Sequence, residues 1–124
     1  MTENTSSPSD RILKLIDAAL DYAPIPLLIG LAHQDAGRLG EAEASLRHAI
    51  ELDPKQGQAL QSLGLLLASQ SRSSEAVQLL KRHAEFQPDD SITLKALSAE
   101  LTRLGRQDEA AHLLEKAWQK THST

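Results

Sequence analysis

The chain has 124 residues and a formal net charge of −4, a length that suits one domain. With 22 Leu and 17 Ala against 13 Val, Ile and Thr together, the composition favours helix and leaves too little for a substantial sheet. The acidic balance argues against nucleic acid as the main partner, because phosphate binding needs a basic face. The absence of Cys removes disulfides, thiolate metal sites and a Cys nucleophile. The aromatics are only Tyr22, Phe86 and Trp118, which weakens the case for base stacking.

In chain order, residues 1–10 are polar and read as a disordered tail, with no basic stretch followed by an apolar one of the kind a signal peptide carries. Ser9 or Asp10 then caps a helix expected over residues 11–22, with Ile12, Leu15, Ile16, Ala19 and Leu20 on one face. The most apolar run, Ala23 to Ala32, holds Pro24 and Pro26 and is about half of the ~20 residues a spanning helix needs. No membrane segment is therefore expected, and the cytoplasm is the expected location. Helical stretches follow near Pro26–Ala36, Glu41–Leu52, Gln58–Gln70, Glu75–Phe86, Ile92–Leu104 and Glu109–Lys120. Gly37 and Gly105 suit the left-handed residue that ends a helix. Gly40, Ser74 and Asp108 read as N-caps of the following helices. Asp53-Pro54 and Gln87-Pro88 stop the second helices, because proline disfavours helix in the residue before it.

These stretches repeat with a period of 34 residues. Pro54 steps to Pro88, Gly30 to Gly64 and then Ser98, and Glu41-Ala42 to Glu75-Ala76 and Glu109-Ala110. Arg38 steps to Arg72 and Arg106, Leu46 to Leu80 and Leu114, and Ala49 to His83 and Ala117. Several independent columns share one period without a gap.

On these columns the chain resembles the tetratricopeptide repeat family, with small residues at the helix crossing: Gly30, Gly64, Ala42, Ala76, Ala110, Ala49 and Ala117, followed by Pro54 and Pro88. The resemblance covers residues 23–124 as units 23–56, 57–90 and 91–124. It implies an all-α, right-handed helical-repeat solenoid of three helix–turn–helix units. Residues 11–22 then read as an N-terminal capping helix over the open end, since terminal units need a shielded face; a partner-binding arm is the other reading. The large aromatics the family favours are replaced by Pro26, Leu60 and Leu94, by His33, Leu67 and Leu101, and by Leu46, Leu80 and Leu114. Pro26 is compatible only with a first helical turn, so the first unit is expected to start late.

The resemblance also implies a concave groove lined by the first helices, holding a peptide or partner helix. Carried over by column, the groove is lined by Leu27, Leu31 and Gln34, by Gln58, Gln61, Ser62, Leu65 and Ser69, and by Ile92, Lys95, Ala99, Thr102 and Arg103. The family's Lys/Asn/Arg clamp for acidic chain ends is not matched: those columns hold Leu27, Leu31, Ser62, Ile92 and Ala96. The five histidines show no metal-ligand spacing, and no nucleophile elbow or phosphate loop occurs. Glu41, Glu75 and Glu109 recur in the first turn of the second helices, where they suit the helix dipole. Arg38, Arg72 and Arg106 read as donors to carbonyls at the preceding helix ends, or as solvated groups.

No catalytic residue, cofactor or metal is expected. The expected function is protein or peptide binding by an adaptor or chaperone-like subunit. The alternative is a self-assembling block that dimerises or stacks through its ends. In that reading Trp118, with Leu114, marks a self-association face, because nothing in the sequence follows to cover it.

Overall fold

The computed structural model describes residues 7–122, and every described element is a helix. In chain order these are α1 (Pro8–Leu20), α2 (Pro24–Asp35), α3 (Leu39–Leu52), α4 (Gly57–Ser69), α5 (Ser73–Phe86), α6 (Ser91–Arg103) and α7 (Gln107–His122). The helices α2 to α7 form three antiparallel pairs stacked side by side, a helical-repeat solenoid. Within the expected tail, residues 1–6 lie outside the described residues, but residues 8–10 are helical. Ser7 Oγ accepts from the Asp10 N–H at 3.1 Å, and the Asp10 carboxylate accepts from the Ser7 N–H at 3.4 Å. This reciprocal capping box starts α1 with Pro8 in its first turn, where no N–H is needed. The helix meets α2 at a bend of 88° and stays exposed at Ile12, Leu13, Leu15 and Ile16. No single described helix is long and apolar enough to cross a membrane.

The first pair starts early rather than late. The helix α2 begins at Pro24, so Pro26 also falls in its first turn. The N-caps of α3 and α5 are Arg38 and Arg72, not Gly40 and Ser74. The reason lies in the preceding turns. Gly37 and Gly105 take φ of +78° and +75°, as expected, and Ser71 takes +62° in the second turn. The next N–H then reaches back five residues: Arg38 to the His33 carbonyl at 2.8 Å, Arg72 to Leu67 at 2.9 Å and Arg106 to Leu101 at 2.8 Å. These bonds close the turn as a Schellman motif, so the chain re-enters helix at once, and Gly40, Ser74 and Asp108 lie inside the next helix.

The core runs along the middle of the stack. Leu46, Leu60, Leu63, Leu67, Leu80, Leu97 and Leu101 are fully buried. Glycine at the crossing makes this possible. A Cβ on Gly30 would lie 2.8 Å from Leu46 Cγ, and one on Gly64 would lie 2.7 Å from Leu80 Cδ2. In the third pair the position is Ser98, and Leu114 is 46% exposed instead of seated.

Candidate functional site

The helices α2, α4 and α6 stand next to one another, α4 touching both others, and their outer sides form one continuous face. On α4, Gln58 and Ser69 are exposed, while Gln61, Ser62 and Leu65 are half-buried. On α6, Lys95, Ala99, Thr102 and Arg103 are exposed, and Ile92 is 60% exposed. On α2, Leu31 and Gln34 are half-buried. Most residues expected to line the groove are therefore on this face and reachable.

Two are not free to line it. Leu27 is 6% exposed and belongs to the core, because Pro26 and Leu27 begin the buried side of α2. The next residue, Leu28, is the exposed one at 60%. Its column continues to Ser62 and Ala96 thirty-four and sixty-eight residues on, so stepping Ser62 back one period would have found it. Gln61 is the second. Its amide donates to Asp90 Oδ2 at 2.9 Å and to Thr93 Oγ1 at 3.0 Å, so it ties α4 to the start of α6. Asp90 is the hub of that tie. It caps α6 by accepting from the Ile92 and Thr93 N–H groups, and His83 Nε2 lies 2.9 Å from its Oδ2. The His83 contact, with the backbone and hydroxyl donors, holds the Asp90 carboxyl below the usual carboxylate range. His83 occupies the Ala49/Ala117 column and is buried, with Nδ1 unpaired.

Arg103 has an internal partner too. Its Nε lies 3.5 Å from Glu100 Oε2, and Glu100, only 3% exposed, also accepts from the Ser73 hydroxyl at 2.7 Å. Lys95 makes no hydrogen bond or ion pair among the described residues, so it is the free cation of this face.

The other recurring charges pair among themselves. Arg72 and Arg106 bond Glu75 and Glu109, whereas Arg38 donates to His33 Nδ1 at 3.0 Å and lies 4.0 Å from Glu41. Arg72 contacts Glu75 at 2.9 Å and Glu43 at 2.7 Å; Arg47 contacts Glu43 at 2.8 Å and Glu75 at 2.9 Å. Two cations and two carboxylates thus alternate in a closed ring across α3 and α5. Glu43 is held below the usual carboxylate range, chiefly by Arg72 and then by Arg47. One period on, Glu109 sits against Arg106 and lies 3.3 Å from Lys81, and it is held down at about 2. These groups are committed to architecture. Among the described residues there is no cluster of His, Asp or Glu that could hold a metal ion.

Trp118 is 55% exposed on the last helix, with its ring edge-to-face against His122, and Leu114 lies one turn before it.

Comparisons with known proteins agree with this architecture. A profile described as tetratricopeptide repeat matches residues 33–101, more than half of the chain. No curated protein matches it by sequence. Among solved structures, two crystal structures of MamA superpose with TM-scores of 0.70 and 0.71 at 20% and 22% identity. They cover 82% and 80% of this chain, which in turn spans 58% of each of those chains. A third, MamA AMB-1, gives 0.70 at 23% identity over 93% of this chain and 65% of its own. At such identities the likeness is one of fold.

Proposed function

Because the chain belongs to the tetratricopeptide repeat family, we propose that it is a non-catalytic protein-interaction module. Its partner is a peptide or helix held against the concave face made by α2, α4 and α6. One observation carries this reading: Leu28 and Ile92 are each 60% exposed on a face that also presents Lys95, Ala99 and Arg103. Exposed large apolar side chains beside a basic edge suit a partner with apolar anchors and an acidic flank. The rest of the recurring polar chemistry is spent on internal pairs, which leaves no arrangement of nucleophile, base and acid on this face.

The test is Ile92→Asp and Lys95→Glu, each assayed for capture of a partner already identified by co-purification from native lysate. Both should weaken binding at unchanged helicity. Arg103 is better changed to Gln, because a carboxylate there would face buried Glu100. Binding that survives all three variants removes the concave face as the site.

Trp118 and Leu114 support a second reading, a homodimer formed end to end. Tryptophan emission that shifts to the red on dilution, as mass falls from dimer to monomer, is the expected result. A concentration-independent emission with monomer mass throughout contradicts it.

A further inference from the structure

The second helices form a face of their own, and α5 and α7 do not close against each other on it. Between them lies a cleft of about 330 Å³, open to solvent along one side. Its floor is apolar: Ala84 from α5, Leu113 and Ala117 from α7, with Pro88 and Leu94 beneath. Leu94 lies on the side of α6 away from Ile92 and Ala99, so this is not the concave face. The rim carries Lys81, Lys116 and Lys120.

The repeat explains why the cleft is open here. One period earlier, its floor positions hold Ile50 where Ala84 stands and His83 where Ala117 stands, and its rim holds Phe86 where Lys120 stands. Between α3 and α5, Ile50 and His83 are buried, and Arg82 donates to the Pro54 carbonyl at 3.0 Å. In the later junction each has become smaller or has been exchanged for a cation, and Lys116 stands in the place of Arg82.

The charge is distinctive as well. The chain is acidic overall, yet three of its six lysines converge on this cleft. Lys81 is shared with Glu109 at 3.3 Å, whereas Lys116 and Lys120 make no hydrogen bond or ion pair among the described residues. Glu85 is the single opposing charge on the rim. Unpaired cations around an apolar floor complement a bulky apolar group next to carboxylates.

We propose that the α5–α7 cleft is a second binding site, which takes a peptide segment of a partner protein carrying one bulky apolar side chain flanked by Asp or Glu. The cleft volume suits one such side chain, seated on Ala84 and Ala117, with the flanking carboxylates on Lys116 and Lys120. This site is separate from the concave face and does not depend on it.

The test is an NMR titration of the full chain, with labelled alanine methyls, against an acetylated pentapeptide that has a single Phe at its centre and two glutamates on each side. Shifts should appear at Ala84 and Ala117 and spare Ala99. Ala117→His, which copies the His83 side chain of the preceding pair, should weaken binding by about tenfold or more. Ala84→Ile should act the same way, and the double variant Lys116→Glu/Lys120→Glu should abolish the shifts. A thermal melt of each variant separates lost binding from lost fold. The proposal is overturned if the peptide shifts Ala99 instead, if a lysine-flanked peptide binds equally well, or if decanoate fills the cleft while the peptide does not.

Discussion

Leu46 and Leu80 are fully buried against glycine, whereas Leu114, in the same column of the last pair, is 46% exposed beside Ser98. The junction of α3 with α5 is closed by a ring of two arginines and two glutamates and carries the buried Ile50 and His83. The junction of α5 with α7 keeps one of those ion pairs, Lys81–Glu109, and leaves an apolar floor open. One repeat therefore serves two ends. Where the columns hold large apolar groups and glycine, the stack is rigid core. Where they hold alanine, lysine and serine, the same backbone presents a surface.

The contrast predicts unequal costs for equal substitutions. Leu80→Ala should destabilise by about 2–5 kcal/mol, since it leaves a cavity in close-packed surroundings. Leu114→Ala should cost less than about 0.5 kcal/mol, as at other exposed positions. Urea midpoints of the two variants measure this directly, and equal losses would show that the last pair is packed like the second. Gly64→Ala should cost about 1–3 kcal/mol by overpacking, because the new Cβ lies within 2.8 Å of two Leu80 carbons.

Acid should act on carboxylates held by partners in both junctions, Glu43 in one and Glu109 in the other, and on Asp90 at the start of α6. Asp90 and Glu43 titrate lower in the folded chain than as free carboxylates. As pH falls, the unfolded chain therefore takes up protons first. Their contribution is complete above the ordinary carboxylate pKa of about 4 and is lost as pH drops through the folded values. Asp90→Asn keeps a capping residue but removes the charge facing His83. It should cost about 1–2 kcal/mol at pH 7 and flatten the loss of stability between pH 5 and pH 3, on the order of one to two units around that pKa. A variant with the full acid slope would show that Asp90 carries none of it. One substitution should be a gain. Ser98→Ala removes a buried hydroxyl without a partner and improves helix propensity, which should raise stability by about 1 kcal/mol in thermal or urea melts.

The period of 34 residues made the helix pairs and their order legible, because glycine, alanine and proline recur where backbones cross or helices stop. Helix starts were less legible. They depend on Schellman turns in which Ser71 adopts the conformation of Gly37 and Gly105, and nothing in its side chain announces that. Helix formation at residues 8–10 was hidden because Ser7 and Asp10 form a capping box within a stretch that is polar throughout. The columns assigned to the groove fall at exposed or half-buried positions of α2, α4 and α6 except where depth matters: Leu27 and Leu28 are both leucine, and only packing decides which is buried. The α5–α7 cleft was written in the sequence as a loss of side-chain volume between successive repeats, at Ala84, Ala117 and Lys120. The pairing of Gln61 and His83 with Asp90 was not readable, since it joins residues from three helices through rotamers.

The proposed function requires that the face of α2, α4 and α6 receive a protein partner. Photo-crosslinking in native lysate tests it most directly, with a photoreactive side chain placed at Ala99 on that face or at Ala44, exposed on α3. A discrete protein adduct at Ala99 and none at Ala44 is the predicted result. Adducts at Ala44 with none at Ala99 would contradict it.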